Sequence, residues 1–211
     1  MENSATMSQI AKKRITVVGD QYCGKTCLSV CASEDLFLEY HHLSDYVQDF
    51  SADVPCGTGR CNITILDTTD DAPSRSLAYT CCDAVVVCFD LTDRSTLESV
   101  ESKWLPELEE NCPGVPFILA GCKRDAMCDG RCVCGGACCD LNEEELVTIL
   151  SRTGAHAYID CSALTGENVD EIFSLALRLA TPRRRNSAKK LFDSIKSKSK
   201  LLKKRLSVSL F

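Results

Sequence analysis

Five short apolar runs, each closed by a turn residue or a charge, set the frame of the chain. Ile15-Thr16-Val17-Val18 runs into Gly19, and Ile63-Thr64-Ile65-Leu66 ends at Asp67. Ala84 to Phe89 and Val115 to Ala120 are apolar throughout, and Ala157 to Cys161 is a last, shorter run. Unbroken apolar runs of this length predict strands covered on both faces, as in a parallel sheet. Helical spacing alternates with them. Ser95 to Glu110 places Leu97, Val100, Trp104, Leu105 and Leu108 on one stripe. Leu141 to Leu150 opens with acids, which suit the positive end of a helix, and Val169 to Ala180 is a third helical stretch. Strands alternating with helices predict an α/β fold: a mostly parallel, doubly wound sheet with helices on both faces.

The 211 residues suit one such domain. No apolar run approaches the ~18 residues of a membrane span, and the first ten residues lack the basic and apolar regions of a secretory signal. Sixteen cysteines are then expected to be mostly free thiols in a reducing compartment. Charge divides the chain. Residues 182–211 carry eleven Lys or Arg against one acid, while the rest carries 13 basic and 29 acidic residues. An acidic body argues against a nucleic-acid partner, and the tail supplies a separate positive field.

The most informative local pattern is Gly19-Asp20-Gln21-Tyr22-Cys23-Gly24-Lys25-Thr26, which fits Gly-x-x-x-x-Gly-Lys-Ser/Thr directly after a predicted strand. Its chemistry is a loop of backbone N–H groups around phosphates, a lysine for the outer phosphates and a hydroxyl for Mg²⁺. Downstream, Leu66-Asp67-Thr68-Thr69, Gly121-Cys122-Lys123-Arg124-Asp125 and Cys161-Ser162-Ala163-Leu164 each follow a strand. In order and spacing these four segments resemble the Ras superfamily of small GTPases. Lys103-Trp104-Leu105-Pro106-Glu107-Leu108 and Cys112-Pro113-Gly114-Val115-Pro116 resemble the Rho family within it. The cysteine in Gly19 to Thr26, Asp83-Ala84-Val85 with Cys88-Phe89-Asp90, and Cys161 to Leu164 are most similar to the atypical Rnd subgroup.

The resemblance implies a P-loop small G domain over residues 14–181, an N-terminal extension 1–13, a cysteine-rich insertion 126–140 and a basic C-terminal tail 182–211. It implies that Gln21, Tyr22, Cys23, Gly24, Lys25, Thr26 and Cys27 surround the phosphates of GTP or GDP. Thr26, Asp67 through water, and Ser44 or Asp45 in switch I would hold Mg²⁺. Asp125 would accept from guanine N1–H and N2–H₂, a pair adenine does not offer. Lys123 would cover the base beside Cys122, and the loop of Ser162, Ala163 and Leu164 would meet guanine O6. Effectors and regulators would engage the switch regions.

Departures from the pattern concentrate where hydrolysis occurs. Gln21 stands where active members carry Gly, Asp70 where the family has Gly, and Asp71 where it has the Gln that orients water. No catalytic set is intact, and very slow hydrolysis is expected. A carboxylate at Asp70 about 5 Å from the γ-phosphate costs roughly 3 kcal/mol per unit charge at an effective dielectric near 20. A pseudo-GTPase scaffold that binds little or no nucleotide, and a conventional GTPase with divergent switches, are the two alternatives. His41 and His42 share the switch I segment and read as solvated.

Cys128, Cys132, Cys134, Cys138 and Cys139 fall within twelve residues; they read as a variable surface loop, with a Zn²⁺ site as the alternative. The last cysteine is Cys161, so neither prenylation nor another lipid anchor is expected. In the tail Leu191, Ile195, Leu202 and Leu206 stand near helical spacing among lysines. That pattern suits an anionic membrane or a calmodulin-like partner, and Ser187 and Ser207 follow basic runs that suit kinases and then a phosphoserine adaptor. An unlipidated tail of this kind also resembles the Rad/Gem subgroup. The expected location is cytoplasmic, peripheral at the inner face of the plasma membrane.

Overall fold

The computed structural model describes residues 12–34, 48–57, 59–69, 71–127 and 141–181. The expectations for His41, His42, Ser44, Asp45, Asp70, the Cys128–Cys139 cluster and the tail lie outside them. The chain divides into two units, Met1–Ala180 and Thr181–Phe211, and the described residues belong to the first apart from Thr181.

The elements run β1 (Lys13–Gly19), α1 (Lys25–Glu34), β2 (Gln48–Cys56), β3 (Gly59–Asp67), α2 (Ala72–Tyr79) and β4 (Ala84–Asp90). They continue with α3 (Arg94–Ser99), a π-helical segment (Val100–Trp104), α4 (Leu105–Asn111) and β5 (Phe117–Cys122). A 3₁₀ turn (Arg124–Ala126), α5 (Glu143–Thr153), β6 (Tyr158–Asp160) and α6 (Val169–Ala180) complete the unit. The sheet order is β2-β3-β1-β4-β5-β6, with only β2 antiparallel to its neighbour.

Each apolar run divides its residues between two layers, because successive side chains point to opposite faces. Ile15, Val17, Ile63, Ile65, Val86, Cys88, Ile118 and Ala120 form one core with Leu28 of α1 and Ile172, Phe173 and Ala176 of α6. Val18, Val85, Val87, Phe89 and Leu119 form the other with Leu97, Val100, Trp104 and Leu108. The doubly wound expectation therefore holds.

Three details differ from the expected elements. The strand β2 was not expected: Pro55 and the acids Asp49 and Asp53 break its apolar pattern. It forms because it is an edge strand, where a proline needs no second ladder and every other residue faces solvent. The fourth apolar run enters the sheet at Phe117, not Val115, because Cys112 to Val115 close a turn through Gly114 at φ 78°. The helix expected over 95–110 is interrupted: Leu105 N–H donates to Val100 O, a five-residue step. Pro106 has no N–H and would crowd the preceding turn, so the widened turn accommodates it. The cysteines also differ in one place. Cys56 and Cys61 are joined by the one disulfide found among the described residues, across the β2–β3 hairpin.

Candidate functional site

The phosphate loop is shaped by backbone constraints at both ends. A Cβ on Gly19, at φ 148°, would sit 2.2 Å from Cys88 O of β4, so only glycine lets β1 turn there. Gly24, at φ 106°, lies over Cys122, whose Cβ would be 3.1 Å from an added methyl. Between them Tyr22 takes a left-handed φ of 62° and is exposed, as is Gln21, while Cys23 is fully buried. Burial pushes the Cys23 thiol up to about 12, so it acts as an uncharged packing group under the loop. Lys25, although buried, returns its Nζ across the loop to Asp20 O at 2.7 Å. The Lys25 ammonium is thus held against the loop's own backbone.

The outer end of β3 meets this loop. Thr26 Oγ1 donates to Asp67 Oδ2 at 2.7 Å, and Ser29 Oγ lies 3.5 Å from Asp67 Oδ1. Burial raises the Asp67 carboxyl to about 6, against the opposing pull of the Thr26 hydroxyl, Lys25 and Ser29. A hydroxyl and a buried carboxylate side by side are hard oxygen donors of the kind Mg²⁺ takes, and a cation there would offset the burial of the charge. The residues present fit that ion. Among the described residues no group of three or more His, Cys, Asp or Glu is arranged for a metal.

The base side is a separate cavity of about 150 Å³, lined by Gly24, Cys27, Leu28, Cys122, Lys123, Asp125, Ala126, Cys161, Ala163 and Leu164. Lys123, at φ 62°, anchors its Nζ on Asp90 Oδ2 at 2.6 Å, which lays its aliphatic stem along the cavity. Asp125 accepts from the buried Ser162 hydroxyl, and Thr165 N–H donates to Ser162 Oγ at 3.1 Å. Arg124 N–H to Cys161 O at 2.9 Å ties the two loops together. Ser162 N–H is committed to Glu167 O at 3.1 Å, so of the loop expected to meet O6 the amides outside that bond are those of Ala163 and Leu164.

The structure thus brings Gly24 to Cys27, Asp67, Cys122, Lys123, Asp125 and Ser162 to Leu164 to one rim. Asp71 is elsewhere employed: it is the N-cap of α2, accepting from Ser74 N at 2.9 Å and Ser74 Oγ at 2.6 Å. Those bonds hold its carboxyl below the usual range.

Sequence reasoning missed the network that braces α2 against the phosphate loop. Trp104 Nε1 donates to Asp20 Oδ1 at 3.1 Å, and Lys103 Nζ reaches the same oxygen at 3.2 Å. Arg75 lies 5.2 Å above the Trp104 ring, donates to Thr69 O and makes two bonds to Glu107 at 2.7 and 2.9 Å. Tyr79 adds a bond to Glu107 at 2.8 Å. The Lys103-Trp104…Glu107 segment carried the only signal, and spacing alone does not say what it touches. Leu28 and Ala126 were likewise not expected in the cavity wall.

A phosphate loop at the end of β1, a hydroxyl–carboxylate pair where β3 ends and a base-sized cavity past β5 and β6 are the parts of a guanine-nucleotide site. Residues 14–181 match the sequence profile of the Ras family, and the chain belongs to that family of small GTP-binding proteins.

Proposed function

We propose that this chain is a Rho-related small GTP-binding protein of the Rnd type, which holds nucleotide but hydrolyses it very slowly. Its output would then follow abundance, phosphorylation and location more than a GTP/GDP cycle. Family membership carries guanine-nucleotide binding through a P-loop, the general use of Mg²⁺ with GTP or GDP, and signalling through effectors and regulators.

The observation that carries this reading is the contrast between Asp125 and Asp71. Asp125 lines the cavity with its Ser162 partner beside it. Asp71, in place of the water-orienting Gln, spends its carboxylate on its own helix. A hydroxyl-capped acid is a poor aligner of an attacking water, and the exposed Gln21 side chain stands at the loop where an arginine finger enters. The Rho-type Lys103-Trp104 pair supports the subgroup through its contact with Asp20.

The test is to denature the purified full-length protein and chromatograph what it releases. GTP supports slow turnover. GDP alone favours a conventional GTPase, and no nucleotide favours a scaffold. The tail, by this reading, brings the protein to the inner face of the plasma membrane, with calmodulin-like proteins or phosphoserine adaptors as competitors. Eleven basic residues at about 1 kcal/mol each near an anionic surface supply several kcal/mol even if half engage. Co-sedimentation with phosphatidylserine vesicles should therefore be lost when residues 182–211 are removed.

A further inference from the structure

Beneath the base cavity the two cysteines of the guanine-side loops meet. Cys122 ends β5 and Cys161 follows β6, one residue beyond the paired Gly121 and Asp160. Cys161 Sγ donates to Cys122 Sγ at 4.0 Å. Both thiols are buried, and both line the cavity. Their backbones are already fixed by Cys161 N–H to Gly121 O at 2.7 Å and Leu91 N–H to Cys122 O at 3.0 Å. Neighbouring strands hold such residues within the span a disulfide bridges, and the sulfurs need to approach to about 2.05 Å.

We propose that Cys122 and Cys161 are a two-electron oxidation site for hydroperoxides, open when the base is absent and closed when it is bound. With hydrogen peroxide, Cys122 sulfur attacks one peroxide oxygen, forming a sulfenic acid and releasing water. Cys161 sulfur then displaces that hydroxyl, the S–S bond forms and a second water leaves. Two thiols lose two electrons and two protons, and one peroxide takes them. The hydrogen bond from Cys161 makes Cys122 the more acidic of the two, which suits it to attack first.

The bond has consequences for the site. Cys122 precedes Lys123 and Asp125, and Cys161 precedes Ser162, so closing the sulfurs moves both ends of the Asp125–Ser162 contact. The Cys122 sulfur also underlies Gly24 of the phosphate loop. Oxidised protein should bind guanine nucleotide about tenfold more weakly or worse, the worth of one hydrogen bond to a charged group. Bound nucleotide should in turn protect the pair.

This inference rests on reading the cavity as the base site, and two separate readouts keep the two apart. Full-length protein, stripped of nucleotide or loaded with GDP, is treated with hydrogen peroxide, digested without reductant and mapped by mass spectrometry. Binding of a fluorescent GDP is titrated on the reduced, the oxidised and the dithiothreitol-treated protein. The expected result is a Cys122–Cys161 peptide pair in the stripped protein only, with weakened binding restored by dithiothreitol. In Cys161→Ala and Cys161→Ser the disulfide cannot form, and peroxide should leave Cys122 at the sulfenic acid, which dimedone traps. Absence of that peptide pair, its equal yield with GDP bound, or a pairing of Cys122 with Cys88 instead overturns the proposal. If reduced protein binds no nucleotide, the base-site reading fails, and the peptide map of the stripped protein still decides the thiol chemistry.

Discussion

The base side of the cleft and the α2 side use the same residue types to opposite ends. On the base side, Asp125 and Lys123 are each held by one polar partner, Ser162 or Asp90, and both still line a cavity. On the α2 side, Asp71 is consumed by Ser74, and Arg75 is buried against the Trp104 ring with Glu107 and Thr69 as partners. The first arrangement leaves charge available to a ligand, and the second turns it into structure. A charged residue at a motif position therefore signifies chemistry only when its partners leave it a free direction.

The largest expected effect is on the ligand-facing side. Lys25→Ala and Asp125→Ala should each weaken guanine-nucleotide binding about a hundredfold or more, because by the proposed reading each removes charge-assisted hydrogen bonds to the nucleotide. Isothermal titration checks this, and near-native affinity in both variants would collapse the comparison. Next in size is the structural side. Glu107→Ala should cost about 3 kcal/mol of stability in denaturant melts, because Arg75 is left buried without its carboxylate. Nucleotide affinity should change far less.

Glu107 also sets a pH dependence. Burial works against its charge, but hydrogen bonds from Arg75 and Tyr79 outweigh it and hold the carboxyl below its ordinary 4.5. A carboxyl lowered on folding contributes stability that is full above 4.5 and is lost as pH falls through the lowered value. Thermal melts should show that acid-side loss in the native protein and a shallower one in Glu107→Gln; parallel curves would refute it. Trp104→Phe, which removes the bond to Asp20 and leaves space where the fully buried indole was, should cost about 2 kcal/mol and loosen the phosphate loop, read as faster GDP release.

The smallest effect should come from Asp71→Gln. It restores the water-orienting residue type but removes the cap, so amides of Ala72–Tyr79 should exchange faster while hydrolysis rises only slightly. Hydrolysis of several per second in that variant with a GTPase-activating protein, as Ras reaches with its own, would overturn this ranking.

These contrasts show how far the sequence could be read. The strands from Ile15, Ile63, Ala84 and Phe117 were legible because an unbroken apolar run is what a doubly covered strand requires. Helix α2 was not, since eight residues with Pro73 near the start show too little period. Edge strand β2 was hidden by its proline and acids, which only an edge position tolerates. In the site, Gly19, Gly24, Lys25, Thr26 and Asp67 were legible as residue types at fixed spacing from strand ends, and the Asp125 segment likewise.

What the sequence determined by itself is therefore local: the loop that curls after β1, the alternation that builds the sheet, and the family those motifs mark. The tertiary structure alone decided which side chains meet across long stretches of chain. Trp104 finds Asp20 over 84 residues, Glu107 finds Arg75 over 32, and Cys161 finds Cys122 over 39. Such partnerships depend on strand order, on register and on the π-helical turn that precedes Pro106. Each of these follows from packing the whole sheet, and no stretch of neighbouring residues encodes it.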